Sequence, residues 1–234
     1  MVLTIHHLGI SQSERIIFLC EELDIPYKIV HHTRSPMLSP DSLKAVPGNA
    51  TGKSPFVEDS DAGITLAESG AIVEYIIHRY GGGRLAVKPT ASNYAEYLQW
   101  FHFSNATLQP QMVGAMFPSD DKKVQAFRDD RLHNGALGVM DSRLKKSKWL
   151  AGDEFTAADI MPMYTITTQR YWGPPLDLTR FPNILRWVQD VAARPAYQKA
   201  MEKGDPEMRL LIDAKGPEKT LAQLGGIGAG SWKK

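Results

Sequence analysis

Residues 52–77 read GKSPFVEDSDAGITLAESGAIVEYII, and this stretch decides the fold. Lys53, Ser54 and Pro55 make a rigid turn into a short apolar strand, Phe56-Val57-Glu58. An acidic turn with Gly63 at its tip leads through Ile64-Thr65-Leu66 to Ala67-Glu68-Ser69-Gly70, where a helix begins whose apolar face repeats as Ile72, Tyr75 and Ile76. The pattern predicts a β-hairpin followed by a helix. A cis bond before Pro55 would hold Ser54 extended, its N–H and C=O free to pair with a peptide-like ligand as a sheet edge does. Ser69 falls where the helix starts, and unpaired N–H groups at a helix start suit a carboxylate. Such a stretch fits a small, extended, anionic peptide.

Upstream, strand Leu3–His7, helix Ser13–Leu23 and strand Tyr27–His31 alternate, which implies an α/β layer with at least one parallel crossover. Gly81-Gly82-Gly83 and Lys88-Pro89-Thr90 interrupt the pattern and mark a linker. Beyond Ser92 the strand signals give way to amphipathic helices: Tyr94, Leu98, Phe101 and Leu108, then Val124, Phe127, Leu132 and Leu137, then Ile160–Tyr171 and Ile184–Val191. Thr156-Ala157-Ala158-Asp159 is a capping box, with Phe155 placed to staple onto Ile160. The expected division is an α/β domain over 1–84, a linker over 85–91, an all-helical domain over 92–214, and a flexible Gly-rich tail over 215–234.

The Lys-Ser-Pro turn, the hairpin and the Glu-Ser-Gly-Ala-Ile run, in this order and spacing, resemble the glutathione-binding half of a cytosolic glutathione transferase, and the resemblance extends over about residues 3–203. It implies a thioredoxin-like first domain and a C-terminal helical bundle, with glutathione as co-substrate. It further implies that Glu68 takes the α-ammonium of glutathione, Ser69 and the helix start its α-carboxylate, Lys53 the glycyl carboxylate, and the Ser54 backbone the cysteinyl residue. The catalytic serine of similar transferases lies after the first strand, and here Ser11-Gln12-Ser13-Glu14-Arg15 occupies that place. The residues themselves leave Ser11 open to a second reading, as an N-cap paired with Glu14 in a capping box. Ser13, or backbone groups alone, are the other candidates for activating the thiol.

A free thiol is about 3% ionised at pH 7, and lowering its pKa by about two units takes roughly 2.7 kcal/mol. A helix end contributes about 0.3–2 kcal/mol and a hydrogen bond to a charged sulfur about 1.5–3 kcal/mol, which suffices without a general base. Cys20 shares a helical register with Ile16 and Leu23, so it reads as core rather than as a thiol nucleophile. Two features depart from the resemblance. Val46–Thr51 offers no second ligand for the glycyl carboxylate, and Asn105 stands where related chains carry an acid.

The 234 residues carry a net charge of +1 and an apolar share of 43%. That near-neutral balance offers no drive toward nucleic acid or a membrane surface. The N-terminus has neither the basic start nor the apolar core of a signal peptide, and a single cysteine among 234 residues allows no internal disulfide. A cytoplasmic location follows. None of the seven histidines shows metal-ligand spacing, and no metal is expected. The leading expectation is a detoxifying or biosynthetic transferase that joins the glutathione thiolate to a small apolar electrophile. Trp100, Phe101, Phe103, Leu108, Met112, Met116 and Phe117 would line the electrophile's pocket between the domains, and an apolar edge near Tyr94–Phe101 would support a symmetric homodimer. A non-catalytic binding or regulatory module, or a glutathione-dependent lyase, isomerase or peroxidase, are the alternatives.

Overall fold

The computed structural model describes residues 3–234 and divides the chain into two compact units. The first begins with β1 (Leu3–Leu8), α1 (Glu14–Glu22), β2 (Tyr27–His32), α2 (Asp41–Lys44), β3 (Phe56–Asp59), β4 (Ile64–Ala67) and α3 (Ser69–Arg79). Its sheet has the order β2-β1-β3-β4. β1 runs parallel to β2 with His7 opposite His31, and antiparallel to β3 with Ile5 opposite Val57. The hairpin pairs Phe56 with Ala67. This is the α/β layer with a parallel crossover that the alternation predicts, in the thioredoxin-like form that the resemblance implies.

β1 lies inside the sheet and is buried on both faces. Its adjacent histidines therefore point in opposite directions, and each has its own partners. His6 lies 3.0 Å from His32 Nε2 and 3.0 Å from Glu58 Oε1, while His7 Nδ1 lies 2.9 Å from Ser13 Oγ. At the hairpin, the carboxylate of Asp59 accepts from the hydroxyls of Tyr75 and Tyr80 and from the N–H groups of Asp61 and Ala62. Burial opposes its ionisation, but those donors hold its pKa below the ordinary value.

The second unit contains α4 (Tyr94–Phe103), α5 (Gln109–Ala115), α6 (Lys122–Asp130), α7 (Gly138–Leu144), α8 (Ala157–Ile166) and α9 (Pro182–Ala192). A π-helical turn over Ser104–Leu108 joins α4 to α5, and another over Arg131–Leu137 joins α6 to α7. All ten residues of α8 are buried. Thr156 and Asp159 form the expected capping box at its start, while the Phe155 ring packs edge-on against Trp149 at 5.1 Å. The face predicted from Val124 and Phe127 differs: α6 buries no residue, and both side chains are exposed.

The division of the chain differs from the sequence expectation: 85–91 and 215–220 belong to the second unit, and 193–209 and 221–234 to the first. The last helix, α10 (Pro195–Gly204), belongs to the first unit. It packs on α1 through Phe18 and Tyr197, and Arg194 donates to both oxygens of Glu22 at 2.5 and 2.7 Å. Residues 221–234, expected to be flexible, also fold onto the first unit. Arg209 N–H donates to Trp232 O, Lys234 N–H to Glu207 O, and Ile227 N–H to Pro36 O. The glycines permit close approach instead of disorder: Gly226 has φ +111°, and a Cβ there would sit 2.8 Å from Pro36 O. The tail closes one side of a cavity of about 490 Å³, whose other walls include Gly9, Ile10, Arg34 and Asp205.

Candidate active site

Three chain segments of the first unit meet here: the loop after β1, the turn before β3 and the start of α3. The first is Gly9–Ser13. Ile10 has φ +54° and is buried, an unusual conformation for a β-branched residue that costs about 1–3 kcal/mol. The bonds around it offset that cost. Ile10 N–H donates to Asp205 Oδ1 at 3.0 Å, and Arg34 donates to the carbonyls of Gly9 and Ile10 at 2.9 and 3.1 Å. The chain is thus turned so that Ser11 follows the strained residue.

Ser11 does not cap α1 as the capping-box reading expects. The N-cap is Ser13, in helical conformation and without a side-chain cap bond. The N–H groups of Glu14, Arg15 and Ile16 donate to the carbonyls of Ser11, Gln12 and Ser13 in a tight first turn. Those donors are consumed by the loop, which leaves the hydroxyls for other work. Ser11 Oγ lies 2.8 Å from Ser13 Oγ and accepts from Ser13 N–H at 3.3 Å. Ser13 has no exposed surface, whereas Ser11 retains 4%.

In the second segment the Ser54–Pro55 bond is cis. Ser54 Oγ donates to His6 O at 2.8 Å and accepts from Leu8 N–H at 3.3 Å, so its side chain is tied to β1. Among the described residues its own N–H and C=O have no hydrogen-bond partner. Lys53 is exposed, and Asn49 Nδ2 donates to its carbonyl at 3.0 Å. The buried Asn49 also donates to Leu43 O and accepts from Thr51, thereby shaping the loop that presents Lys53.

In the third segment Glu68 is the N-cap of α3 with φ +68° and makes no side-chain cap bond. The first intrahelical bond runs from Ile72 N–H to Glu68 O, so the N–H groups of Ser69, Gly70 and Ala71 have no intrahelical acceptor. Arg15 lies beneath this helix start. It is 1% exposed, and its Nη1 donates to Ser69 Oγ at 3.2 Å and to Gln12 Oε1 at 2.8 Å. A buried guanidinium thus joins the Ser11 loop to the α3 terminus and adds positive charge to the helix dipole. The roles of Arg15, Asn49 and Asp205 were missed in the sequence. Arg15 stood in the Ser-x-Ser-x-Arg run, but its partner lies 54 residues away.

Cys20 is fully buried on α1, and burial, followed by the charge of Glu21, pushes its thiol well above the ordinary range. It is core, as expected. Of the aromatic and methionine stripe in the second unit, Trp100, Phe101, Leu108 and Met112 are buried while Phe117 is 64% exposed. Among the described residues, no group of three or more His, Cys, Asp or Glu side chains is placed to hold a metal ion. No helix among them is long and apolar enough to cross a membrane.

A thioredoxin-like unit carrying a cis-proline turn, joined in the chain to a helical unit, defines the class of the protein. Residues 6–84 match the glutathione S-transferase N-terminal domain, and residues 103–195 match its C-terminal domain. Glutathione S-transferase 3 of Schizosaccharomyces pombe is 31% identical over 225 residues, covering 86% of this chain and 88% of that protein. Glutathione S-transferase GstB of Escherichia coli is 29% identical over 194 residues, covering 80% and 91%. Among solved structures, a glutathione S-transferase from Actinobacillus pleuropneumoniae superposes with a TM-score of 0.76 at 25% identity, over 87% of this chain and 93% of that one. A glutathione transferase from Phanerochaete chrysosporium in complex with oxidized glutathione does so at 0.68 and 22% identity, over 87% and 96%. The chain belongs to the glutathione S-transferase family.

Proposed function

We propose that the protein binds glutathione across Lys53, Ser54, Glu68 and Ser69, and conjugates its thiolate, stabilised by Ser11, to small apolar electrophiles. The observation that carries this reading is the linkage of the paired Ser11–Ser13 hydroxyls, through Gln12 and buried Arg15, to the open helix start at Ser69. Family membership and a relative solved with oxidized glutathione support the choice of ligand. The free backbone groups of Ser54 suit the cysteinyl residue of an extended tripeptide, and the α3 terminus suits its carboxylate. Ser11 is favoured over Ser13 because Ser13 is fully enclosed and already engaged with His7.

The binding half of the proposal is tested by calorimetry. Glu68→Ala and Ser69→Ala should each weaken glutathione binding by about 1.5–3 kcal/mol through loss of charge-assisted hydrogen bonds, with folding retained. Unchanged affinity in both variants removes the γ-glutamyl site. Turnover with a panel of aryl halides, epoxides and peroxides tests the chemistry, and activity confined to peroxides would replace conjugation with reduction. The proposal includes a symmetric homodimer. Light scattering at micromolar concentration should give twice the chain mass, and a monomer mass removes that part.

A further inference from the structure

Behind Ser11 the polar contacts continue inward. Ser11 Oγ is 2.8 Å from Ser13 Oγ, Ser13 Oγ is 2.9 Å from His7 Nδ1, and His7 Nε2 is 3.1 Å from Asp205 Oδ2. All four residues are buried, His7 and Ser13 completely. His7 Nε2 and Asp205 Oδ2 have no hydrogen-bond partner and face each other at ion-pair distance. Asp205 is held in place by its other oxygen, which accepts from Ile10 N–H. Gly204 makes room for the imidazole, since a Cβ there would lie 3.3 Å from His7 Cε1 and 3.4 Å from Nε2. A serine that only donates to a thiolate at the surface requires neither a buried imidazole nor a buried acid behind it.

We propose that His7 receives the glutathione thiol proton through Ser11 and Ser13, with Asp205 as its counter-charge. This rests on the reading that Ser11 faces the thiol. A neutral His7 with its hydrogen on Nε2, toward Asp205, has Nδ1 free as an acceptor. Ser13 O–H then donates to Nδ1, Ser11 O–H donates to Ser13 Oγ, and the thiol S–H donates to Ser11 Oγ. When each proton moves one step inward, the S–H bond breaks, Ser11 gains that proton as it passes its own to Ser13, and Ser13 passes its own to Nδ1. The products are a thiolate, two intact hydroxyls and an imidazolium. Every hydrogen bond now points outward, and Ser11 O–H donates to the thiolate. Charge formed at sulfur is matched at His7, whose imidazolium faces the buried Asp205 carboxylate at ion-pair distance.

Among the groups around His7, Asp205 is the carboxylate at ion-pair distance from its ring. From β2, His31 meets the His7 ring edge-on at 5.6 Å, and burial followed by the charge of His7 lowers its own proton affinity. His32 and Glu58 bond His6 on the opposite face of the sheet. At the start of α1, Glu14 is buried, and Arg15 is engaged with Gln12 and Ser69.

The test counts protons. Glutathione is added to the full chain in weakly buffered solution, thiolate is read by its absorbance, proton release by a pH indicator, and the release seen with S-methylglutathione is subtracted. Wild type should form thiolate while releasing well under about half a proton per thiolate. His7→Gln should release about one, with thiolate at pH 6.5 reduced roughly tenfold, the equivalent of one pKa unit. Asp205→Asn should shift both readouts in the same direction while keeping the imidazole, so the test survives a failure of His7→Gln to fold. Release of one proton per thiolate in wild type overturns the relay while leaving Ser11 as thiolate stabiliser. Folded variants with unchanged release also overturn it. Absence of glutathione binding to the wild type overturns the functional reading, and the relay with it.

Discussion

Replacing Asp159 by alanine is expected to destabilise the helical unit by about 3–9 kcal/mol. The carboxylate is fully buried and accepts from Leu150 N–H at 2.9 Å, Trp187 Nε1–H at 2.9 Å and Thr156 N–H at 3.2 Å, with Thr156 Oγ1 at 3.4 Å. Alanine leaves three enclosed N–H donors without an acceptor, each costing about 1–3 kcal/mol. Against a total stability of about 5–15 kcal/mol this is a large share. Thr156→Ala, which removes one cap acceptor, should cost only about 0.5–2 kcal/mol. Urea titration of both variants makes the comparison, and a loss under about 1 kcal/mol for Asp159→Ala would show that these donors find other partners.

Asp159 also sets the sign of a pH effect. Burial pushes its carboxyl up to about 6, with the surrounding donors limiting the rise. An unfolded aspartate titrates near 3.9, so between about 4 and 6 the folded protein holds a proton that the unfolded chain has released. The stability from this group is full below about pH 4 and is lost as pH rises through about 6. It amounts to roughly 3 kcal/mol for a shift of about two units. Comparing wild type with Asp159→Asn across that window isolates this contribution.

The second large effect is expected at Ser11. Ser11→Ala should raise the pKa of the bound glutathione thiol by about one to two units, and so lower turnover near neutral pH by about 10–100-fold. Affinity should change much less, because the proposed binding contacts lie at Lys53, Ser54, Glu68 and Ser69. Stability should change little too, since Ser11 does not cap α1 through its side chain. The measurement is the thiolate absorbance of bound glutathione against pH in wild type, Ser11→Ala and Ser13→Ala. An unmoved titration in Ser11→Ala with a shifted one in Ser13→Ala assigns the contact to Ser13. No shift in either leaves helix-end and backbone groups as the activating elements.

The sequence by itself determined the four strands of the first unit and the helices α1 and α3 with their order, while α2 and α10 were not legible in it. Alternation of strand and helix over residues 3–31, the hairpin around Gly63, the helix starting at Ser69 and the cap at Thr156 all depend on groups a few residues apart. Side-chain period, turn residues and caps record such short-range physics directly in the chain. Only the tertiary structure decided what those elements hold. Arg15 reached Ser69 across 54 residues, and Asp205 reached Ile10 across 195. The same separation explains the tail, where glycine content suggested disorder but Gly226 is required for contact with Pro36. It also explains Ser11, whose capping-box spacing fitted a local role until the loop carbonyls took the helix N–H groups. Long-range polar contacts carry no period or spacing in the sequence, because the backbone brings their partners together only after the chain has packed its apolar faces.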